Sequence, residues 1–257
     1  MSYLEIPYGN LAAAGLFVVV AVALSRRERL DLERAMLIGS LRAVAQLLAV
    51  GYVLKALFDV DRWYLVLAML TVMVLVAARS ASQRIEAPIR GLARLLAGAI
   101  TASLVVVMVP VVWVVLRLEA WYQPQYVVPI SGMVIGNAMN AAALAVDRLV
   151  SDVRLRRDEI EAKLSLGAAW TVASAPCRRA ALRTALMPTI NAITVYGVVQ
   201  LPGMMTGQII GGVAPVEAVK YQVLVAWALL GATSLCCVIA AWRVSRRLTN
   251  PAQQVAL

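Results

Sequence analysis

Apolar residues fall in seven blocks along the chain, approximately Pro7 to Leu24, Ala35 to Leu57, Trp63 to Ala78, Leu95 to Leu116, Tyr126 to Val146, Pro188 to Val213 and Ala218 to Trp242, with charged stretches between them. Crossing a hydrocarbon core ~30 Å thick takes about 20 residues at ~1.5 Å of rise each. Blocks of this order predict about seven transmembrane helices. The fold class that follows is all-α, a polytopic integral membrane protein in which residues 1–257 form a single transmembrane domain.

Charge turns this pattern into a topology. Lys and Arg are retained on the cytoplasmic side of short loops. The segments 25–34, 79–94, 148–187 and 243–257 hold 4, 4, 8 and 3 basic residues, whereas 58–62, 117–125 and 212–220 hold one each. This asymmetry predicts an outside N-terminus and a cytoplasmic C-terminus. The net charge of +10 is then a topology signal, with no nucleic-acid partner called for. Met1 to Asn10 carries Glu5 and no basic stretch, so the first block reads as a retained helix and not as a cleaved signal. Trp63, Trp113, Trp121, Tyr122, Tyr126 and Trp242 cluster near expected helix ends, where amphipathic rings sit at the membrane interface. At 62% hydrophobic and 15% charged residues, the composition is that of a membrane protein.

Several chemistries are excluded. The chain has no histidine, hence no imidazole metal site, and no G-x-x-x-x-G-K-[ST] phosphate loop for hydrolysing ATP itself. Its fourteen acidic residues fall in loops or at block ends, Asp147 and Glu217 among them, so no carboxylate stands within a span to couple transport to protons or sodium. Arg42 and Lys55, at opposite ends of the second block, are placed to snorkel toward the two interfaces; Gln46 shares a face with Arg42. Cys177, Cys236 and Cys237 imply no disulfide framework.

The longest connection, 148–187, is patterned. Leu149, Val153, Ile160 and Leu164 recur at helical spacing, so the fifth membrane helix is expected to continue as an amphipathic stem. Glu159 and Lys163 pair at i, i+4, and Gly167 supplies the left-handed conformation that ends a helix. A second helical piece, Ala168 to Leu186, is expected to return to the membrane, interrupted by Pro176 and closed before Pro188. Two short helices about a glycine turn make a knob that a soluble protein could grip.

Two spans carry unusual polar chemistry. In the fifth, Gly132, Gly136 and Asn140 share a face, with Met133 and Asn137 beside it; close helix packing and a substrate-lining role both fit. In the sixth, Pro202 with Gly203 and Gly207 should kink or unwind "QLPGMMTGQ", freeing carbonyls that Gln200, Thr206 and Gln208 can help satisfy. Such a break serves as a hinge or as a polar path. Met133, Met139, Met204 and Met205 serve either as packing filler or as soft ligands.

Glu161-Ala162 followed by Gly167, a helix and a proline resembles the cytoplasmic EAA-type loop of ABC transporter permeases, although Arg179-Ala180 stands where that motif usually has Leu-Pro. The stretches "GYVLKALFDVD" (51–61), "VPISGMVIGNAMNAAAL" (128–144), "EAKLSLGA" (161–168), "RTALMPT" (183–189) and "LPGMMTGQIIGGVAPVEAVKYQ" (201–222) together are similar to the FetB-like iron-export permeases, whose plant relatives include aluminium-tolerance half-transporters. The resemblance implies a permease of the bacterial cytoplasmic membrane, without enzymatic activity or cofactor of its own. It would work as a homodimer with a separate ATPase that docks on Ile160, Glu161, Leu164 and Gly167. It further implies export of a metal ion or a metal-related solute, along a path for which the candidates are Met133, Asn137, Asn140, Gln200, Pro202, Met204, Met205 and Gln208. Iron itself favours carboxylate or imidazole ligands, which the spans lack, so the metal ligands stay unassigned. An uncoupled channel, a secondary carrier or a non-transporting scaffold are the alternatives.

Overall fold

The apolar blocks fold as helices, because a helix satisfies its own backbone donors and acceptors. The computed structural model describes residues 7–60, 62–86, 89–250 and 254–255; the N-terminal expectation for residues 1–6, and Asp61 of the quoted run, lie outside them. In chain order the helices are α1 (Tyr8–Ala14), α2 (Leu16–Arg27), α3 (Glu33–Val60), α4 (Trp63–Gln83), α5 (Leu92–Pro110), α6 (Pro124–Leu155), α7 (Arg157–Ser165), α8 (Trp170–Ala173), α9 (Ala175–Thr194), α10 (Gly203–Ile210) and α11 (Pro215–Ser245). After Pro110 the chain continues as a π-helical turn, Val111–Val115. Five segments among the described residues are long and apolar enough to cross a membrane: α3, α4, α5 with its π-turn, α6 and α11.

Two compact units emerge. The first holds the residues up to 61 with Ile210–Gly212. Here α1 and α2 are separated only at Gly15, which keeps right-handed helical dihedrals, so the first block is nearly continuous. The α2–α3 turn places Arg29 and Asp31 at positive φ, 53° and 55°. Ser25 secures it by donating to Glu33 Oε1 at 2.9 Å and accepting from the Leu32 N–H at 3.4 Å. Along α3, Leu41, Leu47 and Tyr52 are exposed, which hydrocarbon tolerates and water does not.

The second unit holds the remaining residues, 62–209 and 213–257. At its centre α6 packs against α4, α9 and α11, and α11 packs also against α5 and α9. Small side chains set how closely they approach: Ala141 and Ala145 of α6 meet Ala185 of α9 and Cys237 of α11, with Leu182 and Leu186 closing over them. In lipid no hydrophobic force drives helices together, so this close contact is what holds them. Two buried hydroxyls are satisfied within their own helices, Ser103 donating to the Ile100 carbonyl at 2.9 Å and Thr233 to that of Leu229 at 2.7 Å.

Several expectations change. Helix α6 overshoots the fifth block by nine residues, reaching Leu155 as the expected stem, and carries Asp147 within it. Pro188 does not close a helix: it lies inside α9, which runs through to Thr194, while Pro176 sits in the first turn of α9, where its missing N–H costs nothing. The sixth block is therefore no continuous span. It is the last two turns of α9, an irregular segment 195–202, and the short α10.

Ala145 is fully buried where three helices meet, so Ala145→Leu should overpack the junction at a cost of about 1–3 kcal/mol. A lowered midpoint of thermal unfolding in detergent, with membrane insertion retained, is the expected outcome.

Candidate functional site

The knob forms as the local sequence dictates. Arg157 Nε donates to Glu161 Oε1 at 2.9 Å and Lys163 pairs with Glu159, both one helical turn apart along α7. The hydrogen bond from Lys163 and its charge hold the Glu159 carboxyl below the usual carboxylate range. That pairing therefore persists above the ordinary pKa and is lost as pH falls through the lowered one. At the helix end Gly167 has φ +86°, its N–H donates to the Leu164 carbonyl at 2.9 Å, and the Ala168 N–H donates to that of Lys163 at 3.0 Å. These two bonds are the Schellman closure, which needs a left-handed residue at this position.

The four coupling candidates are not equivalent. Ile160 is only 1% exposed, so it seats α7 on the chain itself. Glu161 and Leu164 are half-buried and Gly167 is exposed. What the knob leaves exposed is the outer charged side of α7 and its glycine turn.

Sequence reasoning missed the residue that anchors the knob. Trp170 is buried, and its indole Nε1 donates to the Ser245 carbonyl at 2.9 Å and lies 3.1 Å from Ser245 Oγ. Ser174 Oγ in turn donates to the Trp170 carbonyl at 2.7 Å. The far end of α11 is thus tied to α8, just after the turn that α7 enters. A tryptophan three residues past the glycine was the available signal, but its partner lies 75 residues away in sequence.

A polar cleft of about 200 Å³ lies among α6, α9 and α11. Asn137, Asn140, Thr189 and Tyr196 supply its polar atoms, with Pro188 and Leu229 among the apolar walls. Asn137 Nδ2 donates to the Met133 carbonyl at 2.9 Å, leaving its amide oxygen free of that bond. Asn140 Oδ1 accepts from Arg84 at the end of α4, 2.8 Å away. A side chain at Gly132 would press on Met73 Cε at 3.2 Å, whereas one at Gly136 would meet nothing within 4 Å. Close packing thus accounts for Gly132 within this chain and leaves Gly136 open beside the asparagines. A second crevice, about 470 Å³ among α4, α5, the π-turn and α6, is almost wholly apolar; Ser131 Oγ, buried without a partner, lies in its wall. It offers an ion almost nothing.

The structure does not bring the sixth-block candidates into the polar cleft. Gln200 is exposed, Met204 and Met205 are half-buried on α10, and Gln208 Oε1 is buried without a partner among the described residues. Nor does Pro202 make the break. It precedes α10, where a missing N–H is harmless, and its carbonyl accepts the first helical bond from Thr206 at 3.0 Å. The chain turns earlier: Gly197 has φ +78°, its N–H donates to the Gln200 carbonyl at 3.0 Å, and the N–H groups of Val198, Val199 and Gln200 converge on the Val195 carbonyl. No group of three or more His, Cys, Asp or Glu able to hold a metal occurs among the described residues.

The family model described as "Uncharacterised protein family (UPF0014)" matches residues 8–249. The chain is 38% identical over 252 residues to the "Probable iron export permease protein FetB" of Escherichia coli (strain K12), covering 96% of this chain and 94% of that one. It is 37% identical over 235 residues, 91% of each chain, to "UPF0014 membrane protein slr1647" of Synechocystis. With "Protein ALUMINUM SENSITIVE 3" of Arabidopsis thaliana it shares 32% identity over 226 residues, 87% of this chain and 81% of the relative. No solved structure matches the chain.

Two substitutions isolate these elements. Gly167→Val forces a β-branched residue to φ +86° with open space around it, so the strain is conformational; about 1–2 kcal/mol should be lost locally. Trp170→Phe keeps an aromatic ring, though a smaller one, but removes the bond to Ser245, and should raise amide hydrogen exchange across 166–174 while leaving α4 and α5 unchanged. At the break, Gly197→Ala should destabilise the fold more than Pro202→Ala does, because only Gly197 has positive φ. Thermal unfolding of the two variants side by side checks the order.

Proposed function

The chain belongs to the UPF0014 family, and we propose that it is the membrane permease subunit of an ABC transporter, exporting a metal ion or metal-related solute with ATP hydrolysed by a separate subunit. The observation that carries this reading is the knob. A charged helix closed by a Schellman turn stands at the end of α6 and is tied through Trp170 to the end of α11. A loop that only joined two spans would need neither attachment. The chain has no phosphate loop, so a soluble ATPase must deliver the energy, and α7 is where it docks. Two permease copies, one per ATPase in a pair, complete the machine in the cytoplasmic membrane.

The polar cleft supplies the solute's contacts. Asn137, Thr189 and Tyr196 present neutral oxygens to a metal ion or its small chelate without a fixed carboxylate charge, and Asn140, its oxygen taken by Arg84, offers its amide N–H groups to the oxygens of a chelate. Neutral ligands bind weakly enough to release, as a conduit requires. Support for metal as cargo comes from the Escherichia coli relative, named as a probable iron export permease, and for the cleft from its position between α6 and α11, the two helices the knob engages.

Inverted membrane vesicles holding this chain and a co-expressed ABC ATPase should accumulate ferrous iron only with hydrolysable ATP. Asn137→Ala combined with Asn140→Ala should lower that uptake at least about tenfold while the ATPase still co-purifies; Gly167→Val should lose co-purification and uptake together. ATP-independent flux, or uptake unchanged in a stable double asparagine variant, would reject the reading.

A further inference from the structure

At the end of the second unit where α5 begins and α11 finishes, Arg90, Arg94, Arg243, Arg246 and Arg247 surround an open cavity of about 670 Å³. No carboxylate lines it, and none of the five forms an ion pair among the described residues. Three of the arginines follow from helix electrostatics, since cations belong at the C-terminal end of α11. The other two do not. Arg90 and Arg94 flank the N-terminus of α5, itself a positive end, with no acidic residue in its first turn and no side chain capping it. All five are exposed, so water eases their mutual repulsion, and an anion seated among them would relieve it further.

Arg243 lies against α5, its Nη1 2.8 Å from where a side chain at Gly98 would stand. Arg246 is held over the Trp242 ring, 4.3 Å from its centroid, which fixes the guanidinium plane. From Trp242 an apolar strip continues up α11 at helical spacing, with Val238 and Trp242 exposed and Leu235 half-buried. A soluble anion has no use for such a strip, but acyl chains do.

We propose that this cradle binds the headgroup of an anionic lipid carrying two phosphates, its acyl chains lying along the Val238–Trp242 face of α11. Five guanidiniums exceed what one phosphate can pair with, and forked N–H donors suit phosphate oxygens. Basic pockets between membrane helices at the cytoplasmic border recognise headgroups of this kind.

The test uses the full chain purified in mild detergent, with tetraoleoyl cardiolipin, phosphatidylglycerol and inorganic pyrophosphate as probes, read by native mass spectrometry and thermal unfolding. One cardiolipin per chain should be retained and should raise the unfolding midpoint; phosphatidylglycerol should bind at least tenfold more weakly. Arg94→Gln with Arg246→Gln should weaken cardiolipin at least tenfold, whereas Arg26→Gln with Arg27→Gln should not. If the neutralised protein fails to insert, Arg94→Lys with Arg246→Lys preserves the topology charges and should still weaken retention several-fold by losing the forks. Equal retention in all variants would overturn the proposal, as would pyrophosphate displacing the lipid at equal concentration. Retained lipid with lost ATPase capture in the Gln variant would assign the arginines to a protein partner instead.

Discussion

Every N–H and C=O of this chain that enters hydrocarbon must find its partner within the protein, and most of the architecture follows from that demand. Ser103 and Thr233 bond back to their own helices with hydroxyls that would otherwise be stranded. The irregular segment 195–202 obeys the same rule at close quarters: one carbonyl, that of Val195, takes three successive amides, and Gly197 closes on Gln200. With no hydrophobic gain from helix association in lipid, the alanine junction of α6, α9 and α11 does the joining by proximity.

The same economy explains where polarity is allowed. The asparagines of α6 face a cleft against α9, and each has a hydrogen bond that orients its amide before any solute arrives. Fixed amides cost little reorganisation on binding. The apolar crevice nearby, despite its larger volume, lacks that preorganisation. Oriented polar groups are thus concentrated at the contact between a continuous helix and one that stops short.

Much of this was legible in the sequence wherever the interaction was local. The Glu159–Lys163 pair, the stem continuing α6 and the glycine closure at Gly167 are set by residues within one or two turns. The broken sixth block was legible as a break but not in place, because Pro202 is the louder signal while Gly197, with its positive φ, makes the turn. Contacts remote in sequence were invisible: Trp170 with Ser245, Arg84 with Asn140, and the arginines of α5 with those of α11. Nothing in local periodicity distinguishes such arginines from an ordinary topology signal. Pro110 stands just before the π-turn and could have marked it, but a proline at a helix end more often just ends it.

The unbroken run of α6 has a mechanical meaning. Thirty-two residues at ~1.5 Å each make a rod about 48 Å long. With α7 joined directly to one end, a tilt of about 10° about the middle of the rod sweeps each end through about 4 Å, more than the width of a metal ion. Asn137 and Asn140 lie near the middle of the rod, close to its fulcrum, where the sweep is smallest. Leverage of this kind moves both ends of α6 while the asparagines at its middle stay nearly still.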